Sequence, residues 1–201
     1  MLNLTRFQRD TLKEVASIGA NSASTALSKL TGKLILVELT KLNLFSIGQA
    51  IRVYDDKKNV GVILDVKGGV SGVMLAIASE KAALTIGDLV RRNKPGTSRK
   101  LDEGDKDLIK EVGNILVGNY LSALSNMSKL NMIESVPSLM IDSTRNILKN
   151  ALAKLRGDVK KVIVIENVLI IGRKKIKQEI ILILMPESLD KLFNMLFKDL
   201  K

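Results

Sequence analysis

The chain contains 201 residues, of which 46% are hydrophobic and 26% charged, and its formal net charge is +11 at neutral pH. This composition predicts a globular protein that can bury a core. The absence of cysteine and histidine excludes disulfides, thiolate chemistry, histidine-based catalytic triads and nearly all zinc sites.

The first residues, MLNLTRFQRD, lack the apolar segment of a signal peptide. The longest apolar runs, such as VIVI and IILILM, are too short to cross a bilayer. We therefore expect a cytoplasmic protein without membrane contact. The positive charge could bind nucleic acid, an anionic membrane or an acidic protein, or it could belong to a solvated basic surface without a partner. Because only 3% of residues are aromatic and the basic residues are scattered, we expect no nucleic-acid partner.

The first half of the chain begins with a long helix, for which Thr5 and Gln8 form a predicted capping box. Alternating and apolar runs then predict three strands, at 33–42, 59–69 and 71–79. A short helix over 79–90 follows, with Ser79 as its predicted N-cap.

A hydrophilic segment that holds Pro95 and Gly96 marks the joint between halves, with a basic linker at 91–101. A second long helix follows over 107–127. The remaining predicted elements are strands at 135–142, 160–171 and 178–185 and helices at 143–155 and 187–197.

The two long helices are related by an internal repeat. Residues 12–32 align without a gap on 109–129, at a shift of 97, with seven of 21 positions identical. We predict a single domain over 1–201 that consists of two repeats, about 1–90 and 102–201. Each repeat supplies a long helix, three strands and a shorter helix. The predicted fold is α+β: a duplicated unit that forms one shared sheet, with the long helices packed on it in pseudo-two-fold symmetry.

A helical wheel of the second long helix separates a core face from a polar face. The core face comprises Ile109, Val112, Leu116, Tyr120, Ala123, Leu124 and Met127. The opposite stripe comprises Asp107, Glu111, Asn114, Gly118, Ser122 and Ser125, and the first helix repeats it with Asp10, Glu14, Ser17, Asn21, Thr25 and Ser28. Small polar residues are poor helix formers, so the stripe is either a close-packed seam or a binding surface. A carboxylate without a partner is costly in a seam.

The spacing Asp107-x3-Glu111-x2-Asn114-x22-Pro137 resembles the signature of the CheC/CheX/FliY family of chemotaxis phosphatases. The surrounding segments, EVGNILVGNYLSALS and IGANSASTALSKLTG, are similar to the two long helices of the CheC-like members. The resemblance extends over essentially the whole chain, including the duplication.

The resemblance implies a hydrolase that removes the phosphoryl group from the aspartate of the response regulator CheY. It assigns Asn114 to the positioning of a water and Glu111 to docking on a lysine of the regulator. The phosphatase then needs no cofactor or metal of its own, because Mg²⁺ comes with the phosphorylated regulator. We expect Gly118 to leave room for the partner and Gly113 to ease packing behind the site. The other candidate partner contacts are Asp107, Asp10 and Asn21.

The first helix departs from this signature. Asp10-x3-Glu14-x2-Ser17-x22-Thr40 keeps the spacing, but serine replaces the amide and threonine replaces the proline. A catalytic role for Glu14 and Ser17 is therefore weaker than for Glu111 and Asn114. The alternative function is a non-catalytic regulatory module that binds CheY or the deamidase CheD within the chemotaxis and flagellar-switch system.

Overall fold

The computed structural model describes residues 4–98, 100–155 and 157–198. Within these ranges the helices are α1 (Arg6–Thr31), α2 (Ile47–Val53), α3 (Glu80–Val90), α4 (Glu103–Ser128), α5 (Thr144–Ala153) and α6 (Pro186–Leu196). The strands are β1 (Ile35–Ser46), β2 (Lys58–Gly68), β3 (Gly72–Ser79), β4 (Met132–Glu134), β5 (Ser138–Ser143), β6 (Lys161–Ile171) and β7 (Lys174–Leu184). No helix in these ranges is both long enough and apolar enough to span a membrane.

The strands form one antiparallel sheet in the order β1-β6-β7-β3-β2-β4, and β5 pairs with β2 after β4. Strand β1 of the first half corresponds to β4 and β5 of the second half, β2 corresponds to β6, and β3 corresponds to β7. With these correspondences, the strand order is the same when it is followed from either edge of the sheet. The predicted α+β fold with one shared sheet and pseudo-two-fold symmetry is therefore confirmed. The first strand of each half pairs with the second strand of the other half, so the two halves cannot form their sheets separately.

The sheet is covered on both faces. Val62, Met74 and Leu182 belong to a core shared with the long helices and with α3 and α6. Leu75 and Ile181 belong to a second core on the opposite face, against α2 and α5. Burial on both faces explains why the central strands read as continuous apolar runs, although the sheet is antiparallel.

Side-chain caps fix where the helices begin. The Thr5–Gln8 capping box of α1 is present as predicted, and the side chain of Ser79 accepts a hydrogen bond from the first turn of α3. Helix α4 begins at a second capping box, formed by Asp102 and Asp105. The caps explain the boundaries because they satisfy backbone N–H groups that have no partner inside the helix.

Helix α2 is absent from the sequence prediction. It follows Ser46, which forms a capping box with Gln49, and it occupies the place that α5 has in the second half. Ser46 and Ser143, the N-caps of α2 and α5, are themselves separated by the 97-residue repeat. The spacing of Ser46 and Gln49 is typical of a helix start and could have indicated α2. The seven residues of α2 are too few to show a clear helical period in the sequence.

The segment between the halves is anchored to α3. The buried carboxylate of Asp88 accepts hydrogen bonds from the backbone N–H groups of Gly96 and Thr97 at 2.7 and 2.9 Å, and from the hydroxyl of Ser98 at 2.5 Å. Burial of this carboxylate raises its pKa, but the hydrogen bonds from Ser98, Gly96 and Thr97 outweigh that effect and lower it to about 2. Asp88 therefore ties the linker to the body of the protein.

Candidate functional site

The polar face of α4 is open to solvent. Asp107 and Glu111 are exposed, and Asn114 and Gly118 are partly exposed. Since these residues are spaced at three or four positions, they lie in one row along the helix. The predicted core residues on the opposite side are buried, except Met127, which is partly buried. The stripe around Glu111 is consequently a surface and not a seam inside the protein.

The side chains of Glu111 and Asn114 make no hydrogen bond or ion pair with another residue that the structure describes. Their neighbours on α4 do: Asp107 pairs with Lys110 at 2.7 Å, and Asn119 donates to the carbonyl of Ile115 at 2.7 Å. The carboxylate and the carboxamide are thus free to contact a partner. No group of three or more acidic residues in the described ranges is arranged to hold a metal ion.

The two glycines of α4 have different surroundings. A Cβ atom on Gly113 would lie 2.6 Å from the Cβ of Val62, so this glycine lets α4 approach β2, as predicted. A Cβ atom on Gly118 would meet only Oε1 of Glu134, at 3.2 Å. Gly118 is therefore bordered by the flexible end of an acidic side chain from β4. Glu134 is not among the predicted site residues, because the neighbouring strand is predicted to begin one residue later, at 135.

Pro137 lies at a break in the edge of the sheet beside α4. Strand β2 pairs first with β4 and then with β5, and the three residues between them leave the ladder. Ser135 bridges the gap: its N–H donates to the carbonyl of Asp65, and its hydroxyl accepts from the N–H of Asp65, both at 2.9 Å. A proline fits this break because it has no N–H to donate.

The matching position in the first half is built differently. Thr40 lies at a bulge, where the pairing of β1 with β6 shifts register between Leu39 and Lys41. Its hydroxyl donates to the carbonyl of Glu166 at 2.9 Å. The two edges are thus interrupted at equivalent positions, once by a bulge and once by a proline.

The polar face of α1 is also open. Asp10, Glu14 and Asn21 are exposed, while Ser17 is half-buried. Asp10 lies 3.9 Å from the guanidinium of Arg6, in an exposed pair that contributes little to stability. The face therefore presents two exposed acids, as the face of α4 does, but no carboxamide at the position of Asn114.

The last residues of both predicted stripes have a structural role instead. Ser28 is half-buried; its hydroxyl accepts from the N–H of Ile35 at 2.9 Å and lies 3.1 Å from the carbonyl of the same residue. Ser125 donates to the carbonyl of Leu130 at 2.7 Å. These serines tie the end of each long helix to the segment that follows, so the stripes are shorter than predicted.

The two helices that carry these faces touch each other directly. A Cβ atom on Gly19 of α1 would lie 2.9 Å from Tyr120 of α4, so only glycine permits this contact. The hydroxyl of Tyr120 donates to Asn167 of β6 at 2.6 Å, and burial raises the pKa of the tyrosine. A buried polar contact thereby fixes α4 to the sheet below the exposed row.

The duplicated fold and the exposed acid–amide row are similar to those of CheC-like proteins. The CheC-like family model matches residues 105–141, the segment that contains Glu111, Asn114 and Pro137. The CheY-P phosphatase CheC of Bacillus subtilis (strain 168) is 28% identical over 165 residues, which cover 80% of this chain and 78% of the relative. These matches confirm the family resemblance drawn from the residues.

Solved structures share the architecture. FliY of Thermotoga maritima superposes with a TM-score of 0.81 at 21% identity, over 98% of this chain and 99% of the FliY chain. A chain of the CheX–CheY–BeF3–Mg²⁺ complex from Borrelia burgdorferi superposes with a TM-score of 0.51 at 19% identity. The match covers 84% of this chain and 96% of that chain. At these identities the likeness defines the fold.

Proposed function

We propose that the protein is a phosphatase that hydrolyses the aspartyl phosphate of a CheY-like response regulator. The observation that carries the proposal is the free carboxamide of Asn114, one turn from the exposed Glu111, within the segment that matches the CheC-like family model. The name of the Bacillus subtilis relative, a CheY-P phosphatase, agrees with this activity.

The reaction requires little from the phosphatase beyond positioning. The regulator supplies the acyl phosphate, and a water must attack phosphorus in line with the bond to the aspartate. Attack forms the new P–O bond, the old bond breaks, and the aspartate leaves as a carboxylate. The water's protons go to the phosphate and to solvent. The amide of Asn114 can hold this water without repelling the phosphoryl oxygens, since it carries no charge.

Glu111 acts in docking. Its carboxylate stands one turn before Asn114 and is free to pair with a lysine of the regulator, which would fix the register of the two surfaces. Asp107 and Gly118 extend the docking row on either side. On the first helix, Asp10 and Asn21 are the corresponding contacts, with Glu14 and Ser17 as a weaker site.

The metal ion comes with the regulator. The Borrelia burgdorferi complex combines CheX and CheY with Mg²⁺ and BeF3, a group with the shape of a phosphoryl group. Mg²⁺ supplies charge neutralisation for the phosphoryl oxygens in such reactions, and the exposed row of α4 holds no ligand set for it. The residues of this chain contribute the docked acid and the oriented amide.

A second candidate function is a non-catalytic module that binds CheY or CheD. The serine at position 17, where α4 has a carboxamide, and the bulge at Thr40 favour this role for the face on α1. In that case the protein would sequester its partner without turnover.

The test is the decay of a phosphorylated CheY-like regulator from the same organism. A substoichiometric amount of the protein should accelerate phosphate release through many turnovers, whereas a binding module would alter decay only in proportion to its own concentration. Unchanged decay at equimolar protein, with every regulator of that organism, refutes the phosphatase.

A further inference from the structure

A cleft of about 720 Å³ lies away from the exposed rows, where β3 ends and β7 continues. β3 pairs with β7 only as far as Ala78 and Gln178, and the chain then turns into α3. Residues 174–177 of β7 remain paired with β6 on one side. Their other edge borders the cleft, opposite the first turn of α3.

Four lysines line this cleft: Lys81 from α3, and Lys174, Lys175 and Lys177 from β7. No ion pair joins any of them to a carboxylate in the described ranges, although Lys58 nearby pairs with Glu80 at 3.8 Å. Glu179 is the one carboxylate among the described lining residues, and it accepts a hydrogen bond from Tyr54 at 2.7 Å. Four like charges around one cavity repel each other, and a bound anion would remove that repulsion.

The walls of the cleft are held in place. The ammonium of Lys174 donates to the carbonyl of Pro95, in the segment that Asp88 anchors to α3. At the base, the amide of Asn59 donates to the hydroxyl of Thr144 at 2.8 Å, and Thr144 is only 2% exposed. The cavity is therefore largely formed before any ligand arrives.

The lining is not wholly charged. Tyr54 and Ala78, which are partly exposed, provide an apolar surface beside the lysines, whereas Ile77, Ala82 and Ile176 are buried in the wall. Sites for small organic ligands combine a mostly apolar lining with a few polar groups and occupy about 300–1,000 Å³. Lysine is a compact charge that suits phosphate groups.

We propose that this cleft binds a small phosphorylated organic molecule. Its phosphates contact Lys81, Lys175 and Lys177, and its organic part lies on the apolar surface. The site is separate from the row on α4 and does not depend on the phosphatase activity.

The experiment is calorimetric titration of the full chain with ATP and with tripolyphosphate at low ionic strength. The variant Lys175→Gln/Lys177→Gln should bind ATP about tenfold more weakly, because charge-assisted hydrogen bonds to phosphate are lost. The control Lys149→Gln/Lys191→Gln changes two exposed lysines elsewhere and has the same net charge. It should retain the affinity of the unmodified protein.

Three results overturn the proposal. Equal weakening in both double variants would mean that ATP senses only the net charge. Equal affinities for ATP and tripolyphosphate would remove the role of the apolar surface. Tighter binding of an oligo-glutamate peptide than of ATP would assign the cleft to an acidic protein segment instead. Amide shifts confined to Gln178 and Thr144 on addition of ATP would locate the ligand in the cleft.

Discussion

The two long helices are buried at equivalent positions and differ in the side chains that they expose. Both have 26 residues, and paired positions of the repeat such as Val15/Val112 and Leu27/Leu124 are buried in both. Other buried positions differ, since α1 has Ala23 where α4 has Tyr120. On the outer row α1 has Ser17 where α4 has Asn114, and both are partly exposed. The duplicated scaffold thus keeps the same positions buried, while its two exposed faces have become chemically unequal.

The shorter helices differ in the same way. Counted from their N-caps, Ser79 and Met185, the ninth residue is Asp88 in α3 and Asn194 in α6. Asp88 is buried and anchors the linker, whereas Asn194 is exposed. Equivalent places in the fold therefore hold a structural carboxylate in one half and a surface amide in the other.

The largest expected effect is on the dephosphorylation rate and tests the difference between the exposed faces of α1 and α4. Asn114→Ala should reduce the rate of regulator dephosphorylation tenfold to a hundredfold, which corresponds to about 1.4–2.7 kcal/mol of barrier. The physical reason is that the variant can no longer orient the water. Single-turnover decay of the phosphorylated regulator measures this loss. Because the amide makes no hydrogen bond within the described protein, the thermal stability should not change.

Ser17→Ala is the matched control for this experiment. A hydroxyl is shorter than a carboxamide, so its removal should alter the rate less than about twofold. If Ser17→Ala abolishes turnover while Asn114→Ala retains it, the active face is on α1 and the assignment is wrong.

The next effect concerns packing behind the site. At the position of Gly113, the first helix has the buried Ala16. Gly113→Ala should nevertheless destabilise the protein by about 1–2 kcal/mol, because the new methyl group would overlap Val62 of β2. Chemical denaturation measures the change. Val62→Ala removes the two methyl groups of Val62 but leaves its Cβ 2.6 Å away, so it should relieve the overlap in part. The double variant should therefore be more stable than the sum of the single changes predicts. Additive effects would contradict the close approach.

The sequence predicted much of this fold because its signals are local or periodic. The capping box at Thr5, the N-cap at Ser79 and the buried face of α4 each follow from the spacing of a few residues. The 97-residue repeat predicted the symmetry. The pairing of the first strand of each half with the second strand of the other half could not be predicted. Which distant strands pair depends on both segments together, and neither segment alone specifies its partner.

The candidate site was predicted in part. Glu111 and Asn114 are identifiable from helical spacing, and their exposure agrees with the predicted stripe. Glu134 was missed because its proximity to Gly118 arises from the return of the chain to α4. Ser125 was misassigned because a wheel shows the side of a helix but not the loop that covers its end.

A smaller effect separates α3 from α6. Asp88→Asn should cost about 1 kcal/mol at neutral pH, because the amide replaces one of two acceptor oxygens with a donor. The pKa of Asp88 is lower in the folded protein than its ordinary value of 3.8, so its stabilisation is present above about pH 4 and is lost as the pH falls towards 2. The difference in stability between the two proteins should therefore shrink over this range in urea titrations.

Asn194→Asp is the control, since its side chain is exposed. It should leave the stability within about 0.5 kcal/mol of the unmodified protein. A difference between Asp88→Asn and the unmodified protein that stays constant from neutral pH to pH 2 would show that the carboxylate charge does not hold the linker.

The smallest expected effect is the recovery of activity on the first helix. Ser17→Asn rebuilds the acid–amide pair after Glu14, and in an Asn114→Ala background it should raise the dephosphorylation rate a few-fold, roughly 0.5–1 kcal/mol in barrier. Recovery should be incomplete, because the sheet edge of the first half has a bulge fixed by the hydroxyl of Thr40, where the second half has a proline. Thr40→Pro is compatible with a bulge, and Asn21→Gly gives α1 the counterpart of Gly118. Adding both should increase the recovered rate further. If the three substitutions together restore nothing, the acid–amide pair is insufficient by itself, and residues that border the row of α4, such as Glu134 of β4, are needed for turnover.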